Sequence, residues 1–295
     1  MFKLNPLTIE QLKRFKSIKR GYYSFLILCF LILFSLLGEL FVNNRALIVY
    51  YNKKFYFPTY TNMIPGTVFG LGYEYETNYR ELQKIFKQDS QGNFVIMPLV
   101  PYDPFETDKL DGSYPPFPPS IEKKHYLGTD KTGRDVLARL LYGFRIAIFF
   151  SLLLLIFEYA IGITIGLLMG YLGGRFDLFF QRIIEIWNNI PFLYAIIIIA
   201  SIVIPNFFSL LGIMIFFGWI GITWYVRTAT YREREREYVL AAKVLGASTA
   251  RIIISHILPN ILSVIITFVP FTIAGGITAL TALDYLGFGL APPTP

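Results

Sequence analysis

Cysteine and histidine are almost missing from this sequence of 295 residues. Cys29 is the only cysteine and lies in an apolar run, so the chain can form neither an internal disulfide nor a thiolate metal site. The two histidines, His125 and His256, are far apart in sequence and have no acidic residue or cysteine at the spacing of a metal site. We therefore expect no metal centre.

Charged residues are also few. They make up 16% of the sequence, against 54% hydrophobic residues, whereas soluble domains carry about 25% charged residues. This balance predicts an integral membrane protein. The net charge of +7 would suit nucleic acid, but the basic residues concentrate in short segments between apolar runs, as membrane topology requires. We expect membrane lipid as a partner, and no nucleic acid.

A phosphate-binding loop is missing as well. No segment matches G-x-x-x-x-G-K-[ST], the pattern whose backbone amides hold the phosphates of a nucleotide. We therefore expect no cofactor and no catalytic residue in this chain. If its action is driven by ATP, the ATP is bound by other subunits.

Five apolar runs predict an all-α polytopic membrane protein. A basic amphipathic helix at residues 1–20 precedes the first span at 21–42, and the positive-inside rule places the N-terminus in the cytoplasm. Residues 43–124 combine short apolar segments with many aromatic residues and prolines, which predicts a small mixed extracytoplasmic insert. Residues 125–295 contain the other four predicted spans, at Ile146–Met169, Ile190–Ile204, Phe207–Val226 and Ile261–Leu283.

A long polar loop at residues 227–260 separates the last two spans. Each of its arginines would cost about 2.5–3.5 kcal/mol at the membrane centre, so the loop belongs on a membrane surface. Apolar residues recur in it at i, i+3, i+4 and i+7, which predicts a helix with one apolar stripe. The stripe consists of Tyr238, Ala241, Ala242 and Leu245. Gly246 and Ala247 then form a turn, and Ser248 or Thr249 caps the next helix.

The polar loop allows other interpretations. An amphipathic helix that only lies among lipid headgroups has the same periodicity. A DNA-binding helix-turn-helix also has a glycine turn between short helices, but here the second helix continues directly into an apolar span, which argues against it.

Polar and small residues mark two features inside the predicted spans. Glu158 is the lone acid of the second span, where it either lines a translocation path or is satisfied within the helix bundle. Three residues interrupt the third span and are weaker candidates for the same path, because broken helices are tolerated beside a cavity. They are Asn188, Asn189 and Pro191. Small residues recur at every fourth position on a face suited to close helix packing, at Gly162, Gly166 and Gly170.

Two segments resemble ABC-transporter permeases. The family pattern E-A-A, three residues, G, nine residues, I-x-L-P is matched in the polar loop by Ala241, Ala242, Gly246, Leu258 and Pro259. Leu240 replaces its glutamate and His256 its first isoleucine. The run LGTDKTGRDVLARLLYG resembles the segment that opens the transmembrane domain in the peptide and nickel class. With its long insert, the chain is most similar to the Yej-type permeases of microcin C and oligopeptide importers.

The resemblance implies a type I ABC importer transmembrane domain in a bacterial cytoplasmic (inner) membrane. The polar loop would form the coupling helix that docks in a groove of an ATPase subunit. The implied partners are a second permease in a heterodimer, two ATP-binding cassette domains that bind ATP and Mg²⁺, and an extracytoplasmic solute-binding protein that delivers peptide. In the family, an ending like LGFGLAPPTP precedes a sixth span, so either the sequence stops short of that span or the bundle has five.

Two functions of other classes remain open. An ion-coupled secondary transporter would need coupling-ion residues within its spans, where only Glu158 is central. A membrane-anchored receptor or assembly protein would explain the insert, but not five spans with a loop of this shape. Uptake that depends on a proton gradient would favour the first, and signalling without uptake the second.

Overall fold

The computed structural model describes residues 13–88, 92–108, 114–203 and 205–290, which are mainly helical. The chain divides into two compact units, and the division falls between Arg145 and Ile146, inside one long helix. Residues 13–17 are helical. The rest of the predicted N-terminal amphipathic helix, the end of the predicted third span and the last five residues lie outside the described residues.

The first unit begins with the predicted first span. Helix α1, Lys19–Leu36, has 18 residues and a mean hydropathy of 1.4, which suffices for a bilayer crossing. The helix breaks at Leu37, and the short α2, Gly38–Phe41, follows. Gly38 lies against Leu141, so the break occurs where two segments of this unit approach closely.

A three-stranded antiparallel sheet forms the centre of the insert. Its strands are β1 (Ile48–Tyr51), β2 (Lys54–Tyr56) and β3 (Phe94–Ile96), in the order β2-β1-β3. Helix α3, Tyr79–Gln88, packs its apolar side on one face of this sheet. The strand-like segments Leu47–Tyr51 and Phe55–Phe57 and the helical pattern at Asn78–Lys87 predict β1, β2 and α3. Strand β3 is not predicted, because a strand of three residues has almost no periodicity.

A buried histidine organises the end of the first unit. His125 places its ring nitrogens 2.8 Å from the Asp135 carboxylate and 3.1 Å from that of Asp108, and the ring of Tyr102 stacks on it. Asp135 also accepts a hydrogen bond from the amide of Ala138 in the first turn of the next helix. The sequence did not predict this pairing, because Asp135 and Asp108 lie 10 and 17 residues from His125 and only the fold brings all three together.

The second unit is a bundle of helices, which opens with the part of α4 that follows Arg145. The helices are α4 (Val136–Leu172), α5 (Gly174–Asn188), α6 (Phe192–Ile202), α7 (Phe207–Gly218), α8 (Ile220–Arg234), α9 (Glu237–Val244) and α10 (Leu258–Tyr285). A helical turn at Thr249–Arg251 and a π-helical stretch at Ile252–Ile257 lead into α10 without a break. A core of aliphatic side chains from α4, α8, α9 and α10 fills its interior.

The described helices include four that could cross a membrane, or five if one bent pair counts as a span. The predicted third span needs correction: α6 has only 11 residues, about 16 Å at 1.5 Å per residue, so it cannot cross alone. It makes an angle of 73° with α5. Three other spans are longer than predicted. Helix α4 begins before Ile146, the helix predicted to end at Val226 continues to Arg234, and α10 extends past both ends of the predicted Ile261–Leu283.

Candidate functional site

The polar loop folds as a helix, a glycine turn and a second helix. Gly246 has a φ of +81° and follows the last turn of α9. Its amide donates to the carbonyl of Lys243, and the amide of Ala247 donates to that of Ala242, the paired bonds of a Schellman ending. Ser248, rather than Thr249, caps the next helical turn by accepting from the amide of Arg251.

The predicted apolar stripe of α9 does not form a single free face. Ala242 is only 9% exposed and joins the core of the bundle. Tyr238, Ala241 and Leu245 are exposed, Leu245 to 87%. Ala242 is therefore corrected from a contact residue to a packing residue, because on so short a helix the side that faces the core is fixed by where the flanking helices enter.

Sequence reasoning missed three residues of α9. Val239 is 1% exposed and buries the inner side of the helix beside Ala242. Leu240 and Val244 point outward, with Val244 exposed to 87%. Together with Leu245, they leave an apolar surface at the C-terminal end of α9, which we call the α9 surface (Leu240, Val244 and Leu245).

A tyrosine attaches α9 to the helix before it. The hydroxyl of Tyr238 donates to the Glu233 carboxylate at 2.7 Å. Burial, and then this bond to a negative charge, raises the pKa of Tyr238 to about 12. A tyrosine hydroxyl is protonated at physiological pH, so Tyr238 keeps donating to Glu233 and ties α9 to the end of α8.

A buried ion pair joins α8 to α5. The guanidinium of Arg227 donates two hydrogen bonds to the Asp177 carboxylate, at 2.5 and 2.7 Å, and the hydroxyl of Tyr231 donates a third at 2.5 Å. Asp177 is 5% exposed. A bidentate, hydrogen-bonded pair of this kind holds its two helices in one relative position. We call it the α5–α8 ion pair (Asp177 and Arg227).

Helix α8 is also packed tightly against α4. The predicted packing residues Gly162, Gly166 and Gly170 all lie on the α4 face that meets α8. A Cβ atom on Gly166 would lie 2.8 Å from the Thr223 carbonyl oxygen, closer than the packing allows. Beyond the last of these glycines, Arg234 donates to carbonyl oxygens of Gly170 and Tyr171 at the end of α4. Helix α8 is thus fixed along the length of this contact.

The second unit contains a cavity of about 530 Å³ that collects most of the predicted path residues. Glu158, Asn188 and Pro191 line it. Asn189 is not among the residues that line it, and its side-chain amide donates to the Glu185 carbonyl at 2.7 Å. The turn between α5 and α6 therefore forms one wall of the cavity, as expected of an interrupted helix beside a path.

Aromatic and small residues form the rest of the cavity wall. The rings are those of Trp187, Phe192 and Phe217. The small residues include Gly218 on α7 and Gly275 and Gly276 on α10. Sequence reasoning missed all six, because they come from four helices that only the fold brings together.

The turn that precedes α4 is held together by one carboxylate, that of Asp130. Asp130 accepts from the amides of Thr132 and Arg134 and from both of their side chains. Partial burial raises the pKa of Asp130, but these hydrogen bonds outweigh burial and hold the pKa well below its usual range.

Across the described ranges of the chain, no group of three or more His, Cys, Asp or Glu side chains could hold a metal ion.

The chain is similar to known permeases over its whole length. The family model described as "Binding-protein-dependent transport system inner membrane component" matches residues 162–295. The inner membrane ABC transporter permease protein YejE of Escherichia coli is 39% identical over 300 residues, covering 100% of this chain and 85% of that protein. The peptidoglycan transport system permease protein YejE of Agrobacterium fabrum is 38% identical, with coverage of 99% and 81%.

A dipeptide transport system permease is similar over a shorter length. The protein DppC of Haemophilus influenzae is 36% identical over 201 residues, which is 67% of each chain. These relatives are permeases of transport systems, and none of them favours a secondary transporter or a receptor. The chain therefore belongs to the family of ABC-transporter inner-membrane permeases, as a multi-pass component of a binding-protein-dependent transport system.

Proposed function

We propose that this chain is a permease subunit of an ATP-driven importer that moves peptides across the inner membrane by alternating access. The relatives named for dipeptide, oligopeptide and peptidoglycan transport support a peptide-like substrate. The N-terminus would lie in the cytoplasm, because the basic residues before α1 belong inside by the positive-inside rule.

The observation that carries the proposal is the α9 surface. Val244 and Leu245 are each exposed to 87% at the end of a helix that is anchored firmly on its other side. Such a surface fits a helix-in-groove contact, in which exposed aliphatic side chains enter an apolar groove of a partner. The partner would be an ATP-binding cassette domain, which would supply ATP and Mg²⁺.

The rest of the assembly follows from the family. A second permease would complete the translocation path as a heterodimer, with one ATP-binding cassette domain for each permease. An extracytoplasmic solute-binding protein would deliver the peptide, in keeping with the binding-protein-dependent type. Tyr238, Ala241, Leu245, Gly246, Ala247 and Ser248 would make or orient the ATPase contact.

Helix α8 would transmit the movement of the coupling loop. Its C-terminal end is held to α9 through Tyr238 and Glu233, and its middle is held to α5 through the α5–α8 ion pair. Helix α5 leads to the turn that lines the cavity at Asn188 and Pro191. A displacement of α9 on closure of the ATPases would thus reach the cavity through contiguous contacts.

Co-purification tests this proposal. We would express the chain with the partner subunits encoded beside it, purify it through a tag in mild detergent, and measure ATPase subunits and ATP hydrolysis. We expect both to accompany the wild-type chain, and Leu245→Asp to reduce the bound ATPase about tenfold or more, since it places a charge in an apolar contact. Ile121→Asp is the matched control, because Ile121 is 83% exposed and lies outside the loop. Purification without any ATPase, even when ATPase is supplied, would contradict the proposal.

A further inference from the structure

Glu158 occupies an unusual position on α4. The helix runs from residue 136 to 172, and this carboxylate lies near its middle, inside the segment apolar enough to cross the membrane. It is 7% exposed and faces the cavity. Among the described residues, it forms neither a hydrogen bond nor an ion pair within the usual limits of distance.

Glu158 is either protonated in this position or, when it is ionised, needs a positive partner. Burial of an unpaired charge is among the most costly events in a protein interior, and intramembrane acids are therefore paired or functional. The residues that line the cavity include no lysine, arginine or histidine in the described part of the chain. A counter-charge for the ionised form would therefore come from outside this part of the chain, either from a species that enters the cavity or from a partner subunit.

The neighbouring helix leaves room for the carboxylate. Gly218, the last residue of α7, lies directly beside it, and a Cβ atom there would overlap the Glu158 side chain. Gly276 lies on α10 along the same wall, where a Cβ would be 3.1 Å from Leu154. A small residue beside the Glu158 carboxylate leaves its oxygens open to the cavity.

The other walls suit a cation as well. Trp187, Phe192 and Phe217 line the same cavity, and aromatic faces attract ammonium and guanidinium groups by about 0.5–2 kcal/mol each, most strongly when water is excluded. The Trp187 indole N–H is already bonded to the Phe216 carbonyl at 3.2 Å, which holds the ring in place. A carboxylate with aromatic neighbours is the composition of an ammonium site.

We propose that Glu158 binds the ammonium group of the transported peptide while the peptide occupies this cavity. The site rests on the proposed peptide-import function and adds to it a substrate preference: a free amino group, at the N-terminus or on a lysine side chain. Glu158 contributes the charge, Gly218 leaves the space, and the aromatic rings contact the bound cation.

Two peptides of equal length test the site. Trialanine amide carries one ammonium group and no carboxylate, and N-acetyl-trialanine amide carries no charge. Uptake of each would be measured in proteoliposomes that contain the complete importer. In the wild type we expect trialanine amide to be taken up faster than the acetylated peptide. We expect Glu158→Gln to lower the uptake of trialanine amide about tenfold or more, because a charge-assisted hydrogen bond to the ammonium group is lost, and to leave the acetylated peptide within about twofold.

Gly218→Ala tests the geometry without removal of the charge. Its Cβ displaces the carboxylate, so we expect the same loss of preference as in Glu158→Gln. Gly212→Ala is the matched control on the same helix, because a Cβ there meets nothing within 4 Å, and it should retain the wild-type preference.

The outcomes separate this site from the proposed function. Uptake of both peptides with no preference, or an equal fall for both in Glu158→Gln, would overturn the ammonium site; the equal fall would indicate that Glu158 instead pairs with a cation of the partner permease. Peptide import would stand in either case. Uptake of neither peptide by an intact, ATP-hydrolysing wild-type complex would contradict peptide import, and the ammonium site would fall with it.

Discussion

Gly246 ends α9 in a backbone conformation that side chains disfavour. Its φ of +81° lies in the left-handed region, and a Cβ there would meet nothing within 4 Å. A substitution would therefore act through the backbone rather than through a clash, at a cost of about 1–2 kcal/mol for most residues. We predict that Gly246→Glu uncouples ATP hydrolysis from uptake, because the turn that orients α9 against the next helix is lost. Uptake and ATPase activity of the reconstituted complex would measure this.

A second substitution separates the backbone from the side chain at this position. Asparagine tolerates the left-handed conformation better than other residues with a side chain. We expect Gly246→Asn to retain more uptake per ATP hydrolysed than Gly246→Glu. Wild-type uptake in Gly246→Glu would contradict the role that we give to this turn.

Local signals determined which residues could be predicted. Gly246 follows a run of good helix formers, and glycine at that position predicts a helix end without knowledge of the fold. Glu158 was recognisable because an acid in an apolar run is rare. Gly218 and Trp187 carried no such signal, because their role depends on which helix packs against them. The burial of Ala242 likewise follows from the direction of α8 and α10, which periodicity does not contain.

The α5–α8 ion pair joins two helices whose residues are 50 positions apart in sequence. An isolated arginine after a span and an isolated aspartate in a turn both look like ordinary membrane-surface residues. Only the fold reveals that the Asp177 carboxylate accepts three hydrogen bonds in a buried site, two from Arg227 and one from Tyr231. For the same reason the sequence could indicate that the third span is interrupted, at Pro191, but not that α5 and α6 meet at 73°.

We predict that Arg227→Ala destabilises the protein and lowers transport per ATP hydrolysed. It leaves the Asp177 carboxylate buried without its cation, which costs about 3–5 kcal/mol. The link from α8 to the cavity is lost at the same time. The melting temperature in detergent and the ratio of uptake to ATP hydrolysis would be measured together.

An exposed ion pair within α5, the helix that carries Asp177, provides the control. Arg182 and Glu185 also form an ion pair on α5, but their side chains are 75% and 42% exposed. Exposed pairs contribute about 0–1 kcal/mol, so Arg182→Ala should change neither stability nor coupling. If Arg227→Ala transported as much per ATP as Arg182→Ala, α8 would not transmit movement through Asp177. A lower melting temperature alone would then show that the pair has only a structural role.

The number of membrane crossings is the property of the whole molecule that local patterns leave open. Lysines and arginines beside apolar runs predict which side each segment faces, and the lengths of α1 and α4 suffice for a crossing. The bent pair of α5 and α6 is different, because neither its length nor its composition distinguishes a broken span from a re-entrant loop. Counted as one span, it separates the insert from the polar loop by three crossings. Otherwise two crossings separate them.

Cysteine labelling distinguishes the two counts, because three crossings put the insert and the polar loop on opposite sides of the membrane and two put them on the same side. Cys29 is the only native cysteine, so Cys29→Ser gives a clean background. In this background, Lys84→Cys on α3 and Val244→Cys on α9 would each add one exposed thiol. We expect a membrane-impermeant maleimide to label the first variant in intact spheroplasts and the second only after permeabilisation. Equal labelling of both in intact spheroplasts would show that α5 and α6 enter and leave on one side, and the polar loop could then not reach a cytoplasmic ATPase.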